Sequence, residues 1–216
     1  MSITVMKLPT EIYVQEIVPY DFEIIECDRH KKNITFDDFF NCGFFVEEKG
    51  GRTVPVGNLA NDGEILSQSI DNDDSWINIA KKKLTTIYTD FNGNCGITRT
   101  DRLTDIPNLK TAVSGIPIIY NGLYVTEKAI EAEGYFGTGK NGELYDTWHG
   151  FLGIRHGKLV YVAMKCDFGQ MCWALVALGI YDAIKLDGGG SFILKNDTLV
   201  KSTRENRRIN NVGIWR

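Results

Sequence analysis

Apolar residues along this chain come in short runs separated by polar breaks, a spacing that predicts strands rather than long helices. Glu11-Ile12-Tyr13-Val14 and Phe22-Glu23-Ile24-Ile25 open the pattern. Between later runs stand Asp62-Gly63, Asn92-Gly93, Asn121-Gly122 and His156-Gly157, and such pairs suit the two-residue turns of β-hairpins. Residues 148–154 and 158–164 flank the last of these and are predicted to pair. Residues 112–120 are apolar nearly throughout and carry Pro117, which predicts one strand entered through a bend. The period then changes. Met171, Ala174, Leu175 and Leu178 recur at helical spacing, with Asp167 placed to cap the run and Gly179 to end it, so a helix is predicted over 169–178. The tail after Arg204 ends in a predicted last strand. The expected fold is α+β, a β-rich system of mixed or antiparallel sheets with few helices, formed as a single domain over residues 1–216.

That helix delivers the chain to Ala183-Ile184-Lys185-Leu186-Asp187-Gly188-Gly189-Gly190-Ser191-Phe192-Ile193-Leu194. The stretch reads as strand, sharp turn, strand. Three successive glycines lose much backbone entropy on folding and offer no side chain to pack, so a use for bare backbone is implied. One use is close approach by a ligand, with the N–H groups of Gly188, Gly189 and Gly190 forming an anion-binding nest and Asp187 pointing a carboxylate into the same space. The other is a tight hairpin whose glycines supply only positive φ.

Composition narrows the classes. With 43% hydrophobic and 24% charged residues the chain is neither disordered nor membrane-embedded in character. A net charge of −4 argues against non-specific nucleic-acid binding. Five cysteines, odd in number and never spaced as a Cys-x-x-Cys pair, signal neither a disulfide framework nor zinc, and are expected to be reduced, mostly core thiols. Residues 1–9 lack a basic region followed by an apolar core, so a cytoplasmic location is expected. Asp71-Asn72-Asp73-Asp74 lacks the glycine and distal glutamate of a calcium loop and reads as a solvated turn. Gly134 to Gly142 matches phosphate-loop strings, but Asn141 replaces the required Ser or Thr and no buried strand precedes, which predicts a mobile loop. No metal or cofactor is called for.

Several stretches together resemble the phosphodiester glycosidase family over about residues 41–214. Its Leu-Asp-Gly-Gly-Gly-Ser is matched by Leu186 to Ser191, and its Asn-Gly-Gly-Phe-Phe by Asn41, Gly43, Phe44 and Phe45, with Cys42 as a departure. Gly57-Asn58 with Asp62-Gly63 matches a further pattern, Gly169 the glycine that leads the helix, and Arg207 the closing arginine. The family's usual arginine is replaced by His149, which exchanges a permanent cation for a titratable imidazole.

The resemblance implies a hydrolase that breaks the anomeric C–O bond of a sugar-1-phosphodiester or nucleotide-sugar-like ester. Asp187 would then stabilise the oxocarbenium-like centre, with Asp62 as the first choice for a second carboxylate and His149 as phosphate donor or acid. Asn41, Gly43, the three glycines of the turn, Ser191 and Arg207 would bind substrate. The implied partner is a small phosphate-containing glycoside or nucleotide, with no nucleic acid or membrane involved. An alternative class is a binder that captures a nucleotide or sugar-phosphate signal without turning it over, in a host cytoplasm if the gene is viral.

Overall fold

A computed structural model describes residues 8–72, 78–135, 147–204 and 206–215. Three antiparallel sheets make the body. The first runs, edge to edge, through strands Ile12–Ile17, Lys158–Cys166, Thr147–Arg155, Asp182–Lys185, Ile116–Tyr120 and Leu123–Tyr124. A second contains Glu64–Ser67, Leu59–Asn61, Leu109–Ser114, Leu84–Asp90 and Cys95–Thr100. The third contains Leu199–Ser202, Ile193–Asn196, Phe39–Asn41, Arg208–Ile214 and Glu23–His30. A small ribbon pairs Phe45–Glu47 with Thr53–Pro55.

The first sheet is buried on both faces, which is why Leu159-Val160-Tyr161-Val162-Ala163-Met164 reads as a continuous apolar run. Val160, Val162 and Met164 join Phe151 under helix α2 (Phe168–Ala177), whose Met171, Ala174 and Leu175 face them. Leu159, Tyr161 and Ala163 turn the other way and pack with Phe22, Phe40, Val113 and Phe192 from the other sheets. Each of the Val, Leu, Phe and Met side chains among them contributes roughly 1.5–3 kcal/mol by leaving water. Asp167 caps α2 through a reciprocal box with Gln170, as its position before the helical run requires. Helix α1 (Glu127–Ala132), capped by Thr126, is an element that the apolar spacing did not signal, because Ile130 is its only buried residue.

All four predicted turns form, three of them with both central residues at positive φ, as at His156 (51°) and Gly157 (73°), while at Asn92-Gly93 only the glycine (81°) is so placed. Residues 112–120 do not make one strand. The chain leaves the second sheet at Ser114 and enters the first at Ile116, and Gly115 is the junction. A Cβ on Gly115 would lie 2.5 Å from the Lys185 carbonyl oxygen, so the two sheets can meet there only across a bare backbone. The 183–194 stretch is likewise no hairpin, since its two strands belong to the first and third sheets.

Three of the cysteines are buried and two half-buried, all free thiols. Asn72 of the acidic stretch accepts from the Gly57 N–H at 2.7 Å, while Asp73 and Asp74 lie outside the described residues, as does the predicted loop from residue 136 onward. No helix among the described residues is long and apolar enough to cross a membrane.

Candidate active site

The glycine turn is fixed from three sides. Leu186 N–H donates to Gly150 O at 2.9 Å and Asp187 N–H to Cys42 O at 3.2 Å, which ties the outgoing end of the Asp182–Lys185 strand to two sheets. Gly189 takes φ +55° and begins a tight turn closed by Ser191 N–H to Gly188 O at 3.0 Å. Asn41 braces its two ends, because its amide donates to Asp187 O while its Oδ1 accepts from Ile193 N–H at 2.9 Å. Behind the turn lies Lys31, 3% exposed, whose ammonium donates to Gly190 O at 3.0 Å, Phe192 O at 2.9 Å and Thr203 O. An ammonium held by several carbonyls is costly to remove, since part of the bonding it supplies to the turn is lost with it.

On the open side, side chains converge. The Asp187 carboxylate accepts from Gly188 N–H at 2.8 Å and from the Ser191 hydroxyl, and Ser191 Oγ in turn accepts from Arg207 Nε at 3.0 Å. Arg207 lies over the Phe45 ring, 5.6 Å from its centre. Lys185 is 2% exposed, donates to Leu186 O at 3.1 Å and stands 5.7 Å from the Phe44 ring centre. His149 is equally buried. A Cβ on Gly188 would sit 3.4 Å from His149 Nδ1 and 3.5 Å from Lys185 Nζ, so imidazole and ammonium close on the same glycine. Burial pushes the Asp187 pKa up from the ordinary aspartate value, opposed by the Ser191 hydrogen bond, the Lys185 and Arg207 charges and the Gly188 N–H.

Asp187, the three glycines, Ser191, His149 and Arg207 thus come together. Asn41 joins them from behind, with both polar atoms of its amide engaged on backbone. Gly43 is adjacent, its N–H donating to Asn211 Oδ1 at 2.6 Å, and a Cβ there would lie 3.1 Å from Leu59 Cδ1. Cys42 turns its thiol into the core, where burial pushes its pKa far up, so the departure from the glycine pattern is absorbed by packing. The structure does not bring Asp62 to this cluster. It is an exposed turn residue (φ 47°) whose neighbour Gly63 bonds to Lys110 O, at the end of the Leu109–Ser114 strand remote from the Gly115 junction. Its Asp-Gly chemistry serves the hairpin. Another buried carboxyl, Glu133, is engaged by Thr85 N–H and Oγ1, both at 2.7 Å, and by Arg99 Nε at 3.0 Å.

Sequence reasoning passed over Lys185 and Lys31. Lys185 could have been found, because it is the one charged residue between Asp182 and Asp187, in an otherwise apolar run that leads into the glycine turn. Lys31 carried no signal, being distant from the turn in sequence.

The sequence profile of the phosphodiester glycosidases matches residues 40–214, most of the chain. The protein belongs to the phosphodiester glycosidase family. A search of curated proteins found no match. Among solved structures, this family member resembles the zebrafish N-acetylglucosamine-1-phosphodiester alpha-N-acetylglucosaminidase catalytic domain auto-inhibited by its pro-peptide. The TM-score is 0.66 at 16% identity, over 95% of this chain and 82% of that one. A hypothetical protein from Synechocystis follows with TM-score 0.60 and 13% identity, over 95% of this chain and 59% of that one. A putative exported protein from Burkholderia pseudomallei gives 0.55 and 10%, over 94% and 71%. At these identities the likeness is one of fold, and the β-rich antiparallel architecture is the family's.

Proposed function

We propose that this phosphodiester glycosidase family member hydrolyses a sugar-1-phosphodiester or nucleotide-sugar-like ester at the sugar carbon. The observation that carries the reading is the Asp187 carboxylate, fixed on a glycine turn and flanked by Lys185, His149 and the Ser191–Arg207 pair. As the anomeric C–O bond breaks, its electron pair leaves with the phosphate oxygen and positive charge spreads over C1 and the ring oxygen. Asp187 supplies the compensating negative charge at the carbon. Arg207 and Lys185 hold the departing phosphate, whose low basicity removes the need for a strong proton donor. Water completes the reaction at C1 and loses its proton to solvent.

A binding-only reading is favoured by one observation, the buried imidazole of His149 where the family's arginine is usual. Incubating the protein in stoichiometric amounts with uridine diphosphate N-acetylglucosamine and with methyl N-acetylglucosamine-1-phosphate, then denaturing it, separates the two. Free sugar supports hydrolysis. Quantitative recovery of tightly bound, intact ligand supports capture and contradicts turnover.

Lys185 lowers the Asp187 pKa by its charge. Lys185→Met is therefore expected to raise that pKa further and to move the acidic limb of the kcat/KM profile to higher pH. An unmoved limb, in a variant that still folds and turns over, would detach Lys185 from Asp187.

A further inference from the structure

Beside the glycine turn opens a cavity of about 570 Å³ lined by His30, Glu47, Arg204, Asn206, Arg207 and Arg208. Its charges are not equivalent. Arg208 is neutralised by Asp28, with Nη2 3.2 Å from Oδ2 and Nε 3.3 Å from Oδ1. His30 Nδ1 lies 2.6 Å from Asn206 O, an acceptor only, so that nitrogen carries the proton. Glu47 contributes one negative charge to the lining. Arg204 and Arg207 remain, and among the described residues neither has a carboxylate within ion-pair distance.

The two arginines are stationed at successive positions along the turn. Arg207 donates to Ser191 Oγ, next to the Asp187 carboxylate. Arg204 lies over Gly190, where a Cβ would meet its Cδ at 3.2 Å and its Nη1 at 3.4 Å. Arg207 is bonded to the serine that donates to Asp187 and its charge acts on that carboxylate, whereas Arg204 is not among the groups acting on it, so a path outward meets Arg207 first and Arg204 second, within a space whose volume suits a nucleotide-sized group. A single phosphodiester carries one negative charge and needs one such guanidinium. A diphosphate bridge carries two, spaced by one P–O–P link.

We infer that the cavity is a leaving-group subsite in which Arg204 receives the second phosphate of a diphosphate-linked substrate, so that the substrate class is a nucleoside diphosphate sugar or a similar diphosphate diester. The inference rests on the proposed glycosidase reading for its orientation, with the sugar at Asp187, but the subsite is testable without turnover. Binding of inorganic pyrophosphate and of inorganic phosphate is measured by calorimetry on the wild type and on Arg204→Ala. One additional charge-assisted contact predicts that pyrophosphate binds about tenfold tighter than phosphate to the wild type, and that this ratio falls toward one in the variant. Arg204→Lys, which keeps a charge without the planar fork, should retain part of the ratio. In the kinetic arm, the kcat/KM ratio of uridine diphosphate N-acetylglucosamine to methyl N-acetylglucosamine-1-phosphate should fall by a similar factor in Arg204→Ala. Equal binding of the two anions, or a variant that weakens both alike, overturns the subsite even if turnover is robust. Discrimination that depends on Arg204 without hydrolysis of either ester upholds the subsite and instead overturns the glycosidase reading.

Discussion

Asp187→Asn is expected to abolish nearly all turnover while leaving the fold intact or firmer near neutral pH. The amide keeps the shape and can still accept from Gly188 N–H, but it cannot offer negative charge to a developing oxocarbenium, so turnover should fall by roughly a thousandfold or more. The stability effect follows from the direction of the pKa. A carboxyl whose folded pKa is raised is favoured protonated in the native state, so its contribution is fully present below the unfolded pKa and is lost as pH rises through the folded one. Above that window the wild type holds an ionised group in a crowded site. Asp187→Asn should therefore melt at or above the wild type near pH 7, and the difference should close as pH falls below the ordinary aspartate range. Thermal melts across pH, paired with single-turnover assays, read both effects. A variant that melts well below the wild type at neutral pH would show that the charged carboxylate supports the fold.

The opposite balance is expected at Lys31. Lys31→Met retains the length of the stem but leaves Gly190 O, Phe192 O and Thr203 O without their shared donor. Phe192 O still accepts from Thr203 N–H at 3.1 Å and Thr203 O from the Ser202 hydroxyl at 3.3 Å, so the loss is partly offset, and a buried carbonyl that does lose its donor costs about 1–3 kcal/mol. A loss of about 2 kcal/mol is expected, or roughly 6 °C in melting temperature for a chain of this size. Turnover should fall as well, since the turn that aims Asp187 is no longer held from behind. Thermal denaturation decides the point. A melting temperature within a degree or two of the wild type would mean that Asn41 and the strand ends suffice to fix the turn.

These two residues mark what was legible in the sequence. Asp187 stands in a six-residue match to the family, and the glycines after it announce a backbone requirement that any reader of the chain can see. The four Xaa-Gly turns and the α2 period are equally local, and each formed where the chain implied it. What decides the rest is long-range. Nothing near Gly115 reveals that it passes within contact of Lys185, because the constraint comes from strand Asp182–Lys185 closing on it. Asp62 shared the turn chemistry that makes it a good hairpin residue with the residue type wanted for catalysis, and only the sheet order separates the two uses. Lys31 lies before the stretch that the family profile matches and reaches the glycine turn through tertiary structure alone. Lys185 was legible as a lone charge in an apolar run, but its closeness to His149 at Gly188 comes from the pairing of strands Thr147–Arg155 and Asp182–Lys185.

In the proposed reaction, attack falls on the sugar carbon beside Asp187, not on phosphorus. Hydrolysis in water enriched with heavy oxygen tests it directly, with the products resolved by mass spectrometry. Attack at C1 places the label in the released sugar and leaves the phosphate unlabelled, which is the predicted result. Label in the phosphate, with unlabelled sugar, would overturn the proposed reaction and make the protein a phosphodiesterase on a glycosidase fold.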